Sequence, residues 1–363
     1  MKNTIGNSLT FTLFGESHGK AIGGVLDGVP SGITVDEGFI YSQMEKRKGI
    51  SSISTARREA DKVEILSGVF EGKTTGTPVC FMIENGDTKS KDYSRTKDIA
   101  RPGHADYTAE MRYGGFQDYR GGGHFSGRLT APVVAAGALA LSMLREKGIL
   151  VGTHISRCGE IEDRAFGDLS ADIEALGELT MPVLCQKARS EMKAYIENAR
   201  SEGDSVGGVL ETVVTGLPAG VGEPWFDSVE SMLSHALFSV PGVKGVEFGC
   251  GFAFAGMKGS EANDELSLID GEIKTLTNNN GGINGGITNG MPLVFSTAVK
   301  PTPSIYKKQN TVNFKKRENT VLQIEGRHDP AIIHRARVVV DSLTALVLCD
   351  LLIMRYGADF FRK

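Results

Sequence analysis

Residues 118–148, which read DYRGGGHFSGRLTAPVVAAGALALSMLREKG, decide the fold. Thr130 and Pro132 open the apolar run 133–144, and basic residues followed by Gly148 close it. This order of start and stop signals predicts a buried helix. Directly before the helix, glycines separate two arginines, a histidine and a serine. The stretch therefore predicts a polar, glycine-rich loop at the N-terminus of a core helix.

Three short β-rich runs precede this stretch, at residues 8–14, 63–70 and 79–83. A turn cluster separates the second run from the third, so these two predict a hairpin. Strands and helices mix along the chain without the regular βαβ alternation of a doubly wound sheet. The residues alone therefore favour a mixed β/α sandwich.

Three further segments carry helix signals. Asp36 is placed to cap a helix that ends near Arg47, where basic residues suit the helix dipole. Asp227 and Glu230 form a pair that resembles a capping box ahead of another apolar segment. Residues 331–354 predict a second long, buried helix.

Composition and charge exclude several classes of protein. At 363 residues the chain exceeds the usual size of one compact core, which predicts one large unit or two merged halves. A net charge of −4 argues against nucleic-acid binding through bulk positive charge, so any anion site must be local. No segment approaches about 18 uninterrupted apolar residues and the N-terminus lacks signal-peptide features, which predicts a cytoplasmic protein without a membrane span.

The cysteines are scattered widely and are never spaced as CxxC, which favours free thiols over disulfide bonds or a zinc site. They are Cys80, Cys158, Cys185, Cys250 and Cys349. No metal site is predicted from the sequence.

Two turns present histidines that could exchange protons. GESHG at residues 15–19 holds His18 between glycines, although a lone histidine in a turn is more often solvated or structural. In RPGHADY at residues 101–107, a turn fixed by proline holds His104 beside an arginine and a carboxylate. Such a histidine could act as a general acid.

The loop 120–128 is the strongest candidate for an anion site. Its bare backbone N–H groups, the helix N-terminus behind it and its two guanidinium groups all favour a multivalent anion. The alternative is a merely flexible loop. Neither GxxxxGK[ST] nor GxGxxG spacing occurs here, so the loop is neither a Walker A motif nor a dinucleotide fingerprint.

Three further polar loops could take part in a site. NNNGGINGGITNG at residues 278–290 and KPTPS at residues 300–304 could wrap a planar cofactor. GRHDP at residues 326–330 places polar groups ahead of the C-terminal helix. There, Asp329 could equally serve as a plain helix cap.

Several of these motifs occur together and in order: GESHGKAIGGVLDGVPSG from Gly15, RPGHADYT from Arg101, DYRGGG with a downstream Ser-x-Arg from Asp118, and GRHDP from Gly326. In these motifs the chain resembles the chorismate synthase family. The likeness extends to LSGVFEGKTTGTPV, GDSVGG, LPAGVGEPWFD, VKGVEFG and KPTPS, and so spans nearly the whole chain. It implies a single domain over residues 1–363.

The resemblance implies an α+β fold, a mixed β-α-α-β sandwich, assembled as a homotetramer with a flavin site in each subunit. It also implies a lyase that converts 5-enolpyruvylshikimate 3-phosphate to chorismate and phosphate by anti-1,4-elimination. The resemblance further implies that reduced FMN is needed although the reaction is redox-neutral. Amino-acid side chains poorly supply electrons to a departing phosphate, and they poorly accept an unactivated hydrogen. The implied partners are a small anionic substrate and further copies of the chain, with no nucleic acid or membrane.

The resemblance also implies roles for individual residues by motif position. His18 would manage a proton near the flavin ring, His104 would protonate or neutralise the leaving phosphate, and Asp329 would assist proton removal. The implied substrate-binding residues are Arg47, Arg58, Arg120, Ser126 and Arg128. The implied flavin-binding residues are Arg47, His124, Phe125, Ser126, Gly285, Lys300, Pro301, Thr302, Pro303, Ser304 and Arg327.

Some positions depart from the commonest pattern of the family. After the three glycines many members have RSSARE, whereas this chain has HFSGRL at residues 124–129. Ser52 stands where an arginine is common, and Asp341 replaces a glutamate. Pro241 and Gly242 replace an Asn-Ala pair that often touches flavin. These departures predict shifted affinities for flavin or nucleotide and an unchanged activity.

The chain offers little for binding NADPH. It has no GxGxxG fingerprint, and Ser52 takes the place of a frequent arginine, although Arg47 and Arg58 remain as possible nucleotide contacts. NADPH is therefore expected only as an indirect reductant. An external flavin reductase is expected to supply the reduced FMN.

Two other classes of protein compete with this interpretation. GDSVGG around Ser205 superficially resembles a protease serine loop, but Val206 breaks the match and the local sequence supplies no paired histidine. A non-catalytic anion-binding protein could use the same scaffold. Loss of His18, His104 or Asp329 would indicate such a protein, and all three residues are present.

Overall fold

A computed structural model describes residues 2–50, 53–54, 61–86, 97–324 and 328–362. Two five-stranded sheets form the outer layers, and two layers of helices lie between them. This order of layers is a β-α-α-β sandwich, which confirms the predicted α+β fold class.

The helices are α1 (Glu37–Glu45), α2 (Asp106–Tyr113), α3 (Thr130–Glu146), α4 (Leu169–Glu178), α5 (Gln186–Ser201), α6 (Val229–Leu237), α7 (Gly259–Ala262) and α8 (Ile333–Tyr356). The strands are β1 (Thr4–Ile5), β2 (Thr10–Gly15), β3 (Ala21–Asp27), β4 (Glu64–Ser67), β5 (Val69–Phe70), β6 (Lys73–Thr74), β7 (Val79–Glu84), β8 (Leu150–Cys158), β9 (Ile161–Glu162), β10 (Gly208–Thr215), β11 (Val243–Phe248), β12 (Leu266–Ile269), β13 (Glu272–Thr275), β14 (Ile283–Asn284), β15 (Ile287–Thr288), β16 (Leu293–Val299), β17 (Gln309–Asn313) and β18 (Glu318–Leu322). Short 3-10 turns cover Arg120–Phe125, Gly127–Leu129, Trp225–Asp227, Gly251–Gly256 and Ala358–Phe361.

The first sheet has the strand order β1-β2-β3-β7-β4, with antiparallel neighbours. Along β7, Val79, Phe81 and Ile83 are buried while the intervening side chains are more exposed, as expected for a strand that covers a core on one face. β4 pairs with β7, which confirms the predicted hairpin. The small β5–β6 hairpin lies between these two strands in the chain.

The second sheet has the order β11-β16-β10-β8-β9, again with antiparallel neighbours. Its strand β16, which lies between β11 and β10, alternates strictly, with Leu293, Phe295, Thr297 and Val299 buried. Both sheets therefore present one apolar face to the helices between them.

The two long helices form the centre of the sandwich. α3 packs on β3 and β7 of the first sheet, α8 packs on β8 and β10 of the second, and the two helices pack on each other. Nearly all side chains of α8 between residues 333 and 353 are buried. The sequence predicted α3 from its apolar run and a second long, buried helix over residues 331–354, and both predictions are confirmed.

α3 and α8 run in the same direction. A Cβ atom built on Gly137 would lie only 2.2 Å from the Cβ of Ser342, and further along both helices the thiol of Cys349 donates to the carbonyl of Ala140 at 3.5 Å. Because contacts advance together along the two helices, their N-termini lie at the same end of the sandwich. The loops that precede them are thereby brought to one side of the molecule.

Helix starts were predicted with mixed success. The Asp36 carboxylate accepts from the N–H of Phe39, which confirms that cap, and α1 ends at Glu45. The prediction that Asp227 caps α6 is wrong. Residues up to Asp227 form a 3-10 turn, so the chain enters the helix at Ser228, whose hydroxyl accepts from the N–H of Ser231.

One stretch of the described chain, Gly127–Glu146, is long and apolar enough to cross a membrane by length and composition. However, 83% of its hydrophobic window is buried inside the protein, as in the core helix of a folded domain. The five cysteines carry free thiols.

Replacing Gly137 by alanine tests the helix contact. The added methyl group would collide with Ser342, so we expect Gly137→Ala to lower the free energy of unfolding by about 1–3 kcal/mol. Urea unfolding followed by circular dichroism measures this change. Gly177→Ala in α4 is the matched control, because its methyl group meets no atom within 4 Å and should be neutral or stabilising by up to about 1 kcal/mol. Equal stability of the two variants would contradict the packing described here.

Candidate active site

The first part of the site is the turn between β2 and β3, which carries Ser17 and His18. Both side chains are buried, and the His18 Nδ1 lies 3.2 Å from the Ser17 hydroxyl. The turn is held against the glycine loop by two contacts: the Ser17 N–H donates to the Gly123 carbonyl at 3.1 Å, and His124 Nδ1 lies 2.8 Å from the Gly15 carbonyl oxygen. The structure thus joins two segments that the sequence singled out separately.

The glycines of this loop are required by geometry. Gly121, Gly122 and Gly123 all have positive φ angles of 58°, 85° and 52°, which side chains with a Cβ rarely adopt. A Cβ on Gly121 would lie 2.1 Å from the ring of His18. The bare backbone therefore lets the loop lie directly against the imidazole.

The second part is a cluster of two arginines and one carboxylate, which we call the Arg47–Asp61–Arg128 cluster. Asp61 forms ion pairs with both guanidinium groups, to Arg47 at 2.6 Å and also to Arg128. The three side chains are only 6–8% exposed. Arg47 is fixed further by its Nε–H, which donates to the Thr130 hydroxyl at 3.3 Å. Asp61 thus brings two buried guanidinium groups together.

Arg120 lies outside this cluster. Its guanidinium group forms a two-point contact with the Asp118 carboxylate at 2.8 and 2.7 Å, and its side chain is more exposed than those of the cluster. Ser126 is the cap of the following 3-10 turn, where its hydroxyl accepts from the backbone N–H of Arg128. Both predicted residues therefore lie on the loop, in contact with its own atoms.

The third part is built around His104. Its Nε2 lies 2.7 Å from the hydroxyl of Ser304, and the ammonium group of Lys300 donates to the Gly103 carbonyl at 2.7 Å. The segment 300–304 and the turn of His104 are therefore packed together. Burial, and then the neighbouring Arg101, lowers the pKa of His104 to about 4, so its imidazole is neutral near pH 7 in the free protein.

Asp329 connects the C-terminal helix to the arginine cluster. Its carboxylate pairs with Arg335 at 2.5 Å, and the Nε–H of Arg335 donates to the backbone carbonyl of Arg47 at 2.7 Å. The alternative that Asp329 caps α8 is wrong, because α8 begins after Ile332 without a side-chain cap. Asp329 is instead paired with an arginine in the first turn of the helix.

A cleft of about 290 Å³ opens beside the segment 300–304. It is lined by Pro102, Gly103, Asp204, Ser205, Pro301, Thr302, Pro303, Ile305 and Gln309. The Thr302 hydroxyl and the Gln309 side-chain oxygen are buried and lack a hydrogen-bond partner within the described residues. Orphaned polar atoms beside a cleft are suited to a polar ligand.

The serine-hydrolase alternative receives no support from this cleft. The hydroxyl of Ser205 donates to the carbonyl of Thr302 at 2.6 Å, so it is held by backbone where a hydrolase would have a histidine. Across the described ranges, no group of three or more His, Cys, Asp or Glu side chains is placed to hold a metal ion.

The remaining predicted residues lie at various distances from these parts. Phe125 is half-exposed with its ring edge-on to Tyr113. Gly285 lies in the turn between β14 and β15, where an added Cβ would meet no atom within 4 Å. Arg58, Arg327 and Ser52 lie outside the described residues.

Two residues of the site escaped the sequence analysis, Asp61 and Asn85. Asp61 follows a charged run, and Asn85 directly follows a strand, and neither position carries a local pattern that marks a site. Only their pairing with distant arginines reveals them, since Asn85 accepts from the Nε–H of Arg128 at 3.1 Å.

Comparison with known proteins places this fold and site. A crystal structure of a chorismate synthase matches with a TM-score of 0.76 and 28% identity, over 97% of this chain and 94% of that one. The chorismate synthase of Pyrococcus abyssi is 47% identical over 352 residues, 96% of this chain and 97% of that protein. The chorismate synthase of Thermococcus gammatolerans is 48% identical over 351 residues, which are 96% of this chain and 97% of that protein.

The fold and the site define an enzyme with the architecture of the chorismate-forming lyases. The family model for chorismate synthase matches residues 9–353. With this match and relatives of such identity and coverage, the chain belongs to the chorismate synthase family.

Replacing Gly121 by alanine tests the contact between the glycine loop and His18. The methyl group would overlap the imidazole, so we expect Gly121→Ala to lower turnover at least about tenfold while the far-ultraviolet circular dichroism is retained. Gly122→Ala is the matched control, because it has a similarly positive φ but its methyl group meets nothing closer than 3.8 Å. An equal loss in both variants would assign the effect to backbone strain instead.

Proposed function

We propose that the enzyme converts 5-enolpyruvylshikimate 3-phosphate to chorismate and phosphate by anti-1,4-elimination, with reduced FMN and without net redox change. The observation that carries this proposal is the attachment of the His18 turn to the glycine loop, whose last residue Arg128 enters the buried arginine cluster. The structure thereby connects the turn of His18, which can exchange a proton, to the cluster with the guanidinium groups of Arg47 and Arg128. Elimination of phosphate from a polyanion needs a group that exchanges protons and groups that bind the anion.

The Arg47–Asp61–Arg128 cluster supplies the attraction for the substrate. Two buried guanidinium groups meet here at the Asp61 carboxylate. Guanidinium groups form strong charge-assisted hydrogen bonds with phosphate and carboxylate, and these bonds are stronger where water is largely excluded. Bidentate contacts of arginine with such anions add geometric specificity.

His104 is suited to respond to the phosphate. In the free protein it is neutral near pH 7, because burial and Arg101 lower its pKa to about 4. A phosphate group beside the imidazole raises that pKa again, since the opposite charge favours the protonated form. His104 therefore takes up a proton as the substrate binds and holds it where the phosphate leaves. Ser304 fixes the position of the ring.

The cleft beside residues 300–304 is the proposed site for flavin mononucleotide. It offers the orphaned Thr302 hydroxyl, and the loop next to it carries the Lys300 ammonium group. Residues 300–304, with His124, Phe125, Ser126, Gly285, Arg327 and Arg47, would hold the cofactor. When bound, reduced FMN would supply electron density that side chains cannot provide. His18 would hold a proton near the flavin, and Asp329 would assist proton removal.

The proposal includes an external source of reduced FMN and an assembly of identical chains. NADPH would act only as an indirect reductant through a separate flavin reductase. The proposed assembly is a cytoplasmic homotetramer. Contacts between chains are supported by apolar side chains that are largely exposed in the single chain: Trp225, Phe226, Phe252, Leu266, Leu268 and Ile273. Such a surface is typical of contacts between subunits.

The proposed reaction is tested by anaerobic incubation of the enzyme with photoreduced FMN and the substrate while the absorbance of chorismate is followed. We expect sustained product formation, and a loss of about 10²–10⁴-fold in His18→Ala and in His104→Ala, because each removes a proton-transfer group. His235→Ala, an exposed position on α6, is the matched control and should keep full turnover. Wild-type rates in both site variants would overturn the assigned roles.

The same assay tests the source of electrons. A mixture with NADPH and oxidised FMN but no added reductase should form no chorismate. Sustained product in that mixture would show that the enzyme reduces its own flavin.

Proton uptake tests the role of His104. At a pH near 6, which is above the pKa of His104 in the free protein, binding of the phosphorylated substrate should draw up to about one proton per site from the buffer. Calorimetric titrations in buffers of different ionisation enthalpy measure this number. The uptake should shrink in His104→Gln, and an identical uptake in both proteins would place the proton elsewhere.

A further inference from the structure

Asn85 lies at the junction of two parts of the site. It directly follows β7, the neighbour of β3, and its side chain reaches the turn between β2 and β3. The side-chain NH₂ group donates to the carbonyls of Glu16 and Gly19, both at 3.0 Å. The side-chain oxygen accepts from the Nε–H of Arg128 at 3.1 Å. One amide thus bridges both ends of the turn that carries His18 to an arginine of the buried cluster.

The orientation of this amide is fixed by its neighbours. Two carbonyl oxygens face one end of it and can only accept, whereas a guanidinium N–H faces the other end and can only donate. In a flipped amide, the side-chain oxygen would face the two carbonyl oxygens and the NH₂ group would face the guanidinium N–H, so none of the three hydrogen bonds could form. Neither a carboxylate nor an aliphatic side chain of the same size can replace both halves.

The geometry points to Asn85 as a positioning residue that sets the location of His18 relative to Arg128. This inference rests on the proposed function, which gives the two residues a proton-transfer role and an anion-binding role. The NH₂ end acts on turnover through His18, and the oxygen end acts on substrate affinity through Arg128. Asn85 itself acts only through these two side chains.

The bond pattern of the turn explains why one side chain matters. The turn is closed by the Gly19 N–H, which donates to the Glu16 carbonyl at 3.0 Å, and the backbone N–H of Asn85 donates to the Lys20 carbonyl at 3.1 Å. These two bonds hold the end of the turn nearest β3. The Asn85 side chain adds a hydrogen bond to the Glu16 carbonyl on the opposite side of the turn. The segment with Ser17 and His18 is therefore held at both ends.

The test uses Asn85→Leu, which keeps the size of the side chain and removes both polar ends. We expect kcat to fall about 10- to 100-fold through misplacement of His18 and KM to rise about tenfold through release of Arg128. Asn198→Leu is the matched control, because that amide bonds only to Glu202 on the exposed face of α5 among the contacts described, and its kinetics should stay at wild-type values.

Double-variant cycles separate positioning from a general loss of structure. In a His18→Ala background, Asn85→Leu should cause no further fall in kcat. In an Arg128→Lys background, which lacks the Nε–H donor, it should cause no further rise in KM. Full additivity in both backgrounds, or wild-type kinetics of Asn85→Leu, would overturn the inference.

Calorimetric binding of the substrate in the absence of flavin gives a readout that does not depend on turnover. Asn85→Leu should weaken this binding about tenfold in the wild-type background and not in the Arg128→Lys background. If the unsubstituted protein bound the substrate but formed no chorismate, the proposed reaction would be wrong. The binding measurements would still show whether Asn85 acts on substrate affinity through Arg128.

Discussion

The close approach of α3 to α8 at Gly137 and Ser342 is the contact on which the rest of the molecule depends. Each helix carries one sheet on its outer side, so their contact sets the distance between the sheets. Because the helices run in the same direction, the glycine loop before α3 and the segment of Asp329 before α8 lie at one end. The bond from Arg335 to the Arg47 carbonyl then connects the start of α8 to the segment that follows α1. A packing contact in the core thereby determines the geometry of a polar site.

The charged groups of the site are largely buried. Asp61 pairs with both Arg47 and Arg128, and His104 is held neutral near pH 7 by burial and Arg101. Under the proposed function both features would serve a phosphate group: the arginines would attract it directly, and the anion would allow the imidazole to be protonated. Burial thus acts on both halves of the site, because it strengthens the ion pairs and keeps the histidine neutral in the free protein.

Local sequence patterns correctly predicted the elements that depend mainly on neighbouring residues in the chain. The apolar runs of α3 and α8 and the glycine loop could be recognised, because burial and positive φ leave a signature in composition. The cap at Asp227 was predicted wrongly, because a 3-10 turn shifts the helix start by one residue to Ser228. Asp61 could not be found, since its role arises from partners 14 and 67 residues away in the chain. The family was recognised from the order of the motifs, which does not require knowledge of such long-range pairs.

Three of the departures from the family pattern make identifiable contacts in the structure. His124 stands where an arginine is common, and its ring bonds the Gly15 carbonyl and so fastens the His18 turn to the loop. Gly242 replaces an alanine and has a φ of 98°, which favours glycine, while its carbonyl accepts from the N–H of Lys300 at 2.9 Å. Asp341 lies inside α8, where it pairs with Arg337. The His18 turn is held by the main-chain bond from Ser17 to Gly123 and also by the side chains of His124 and Asn85, so its position depends on side chains as well as on backbone.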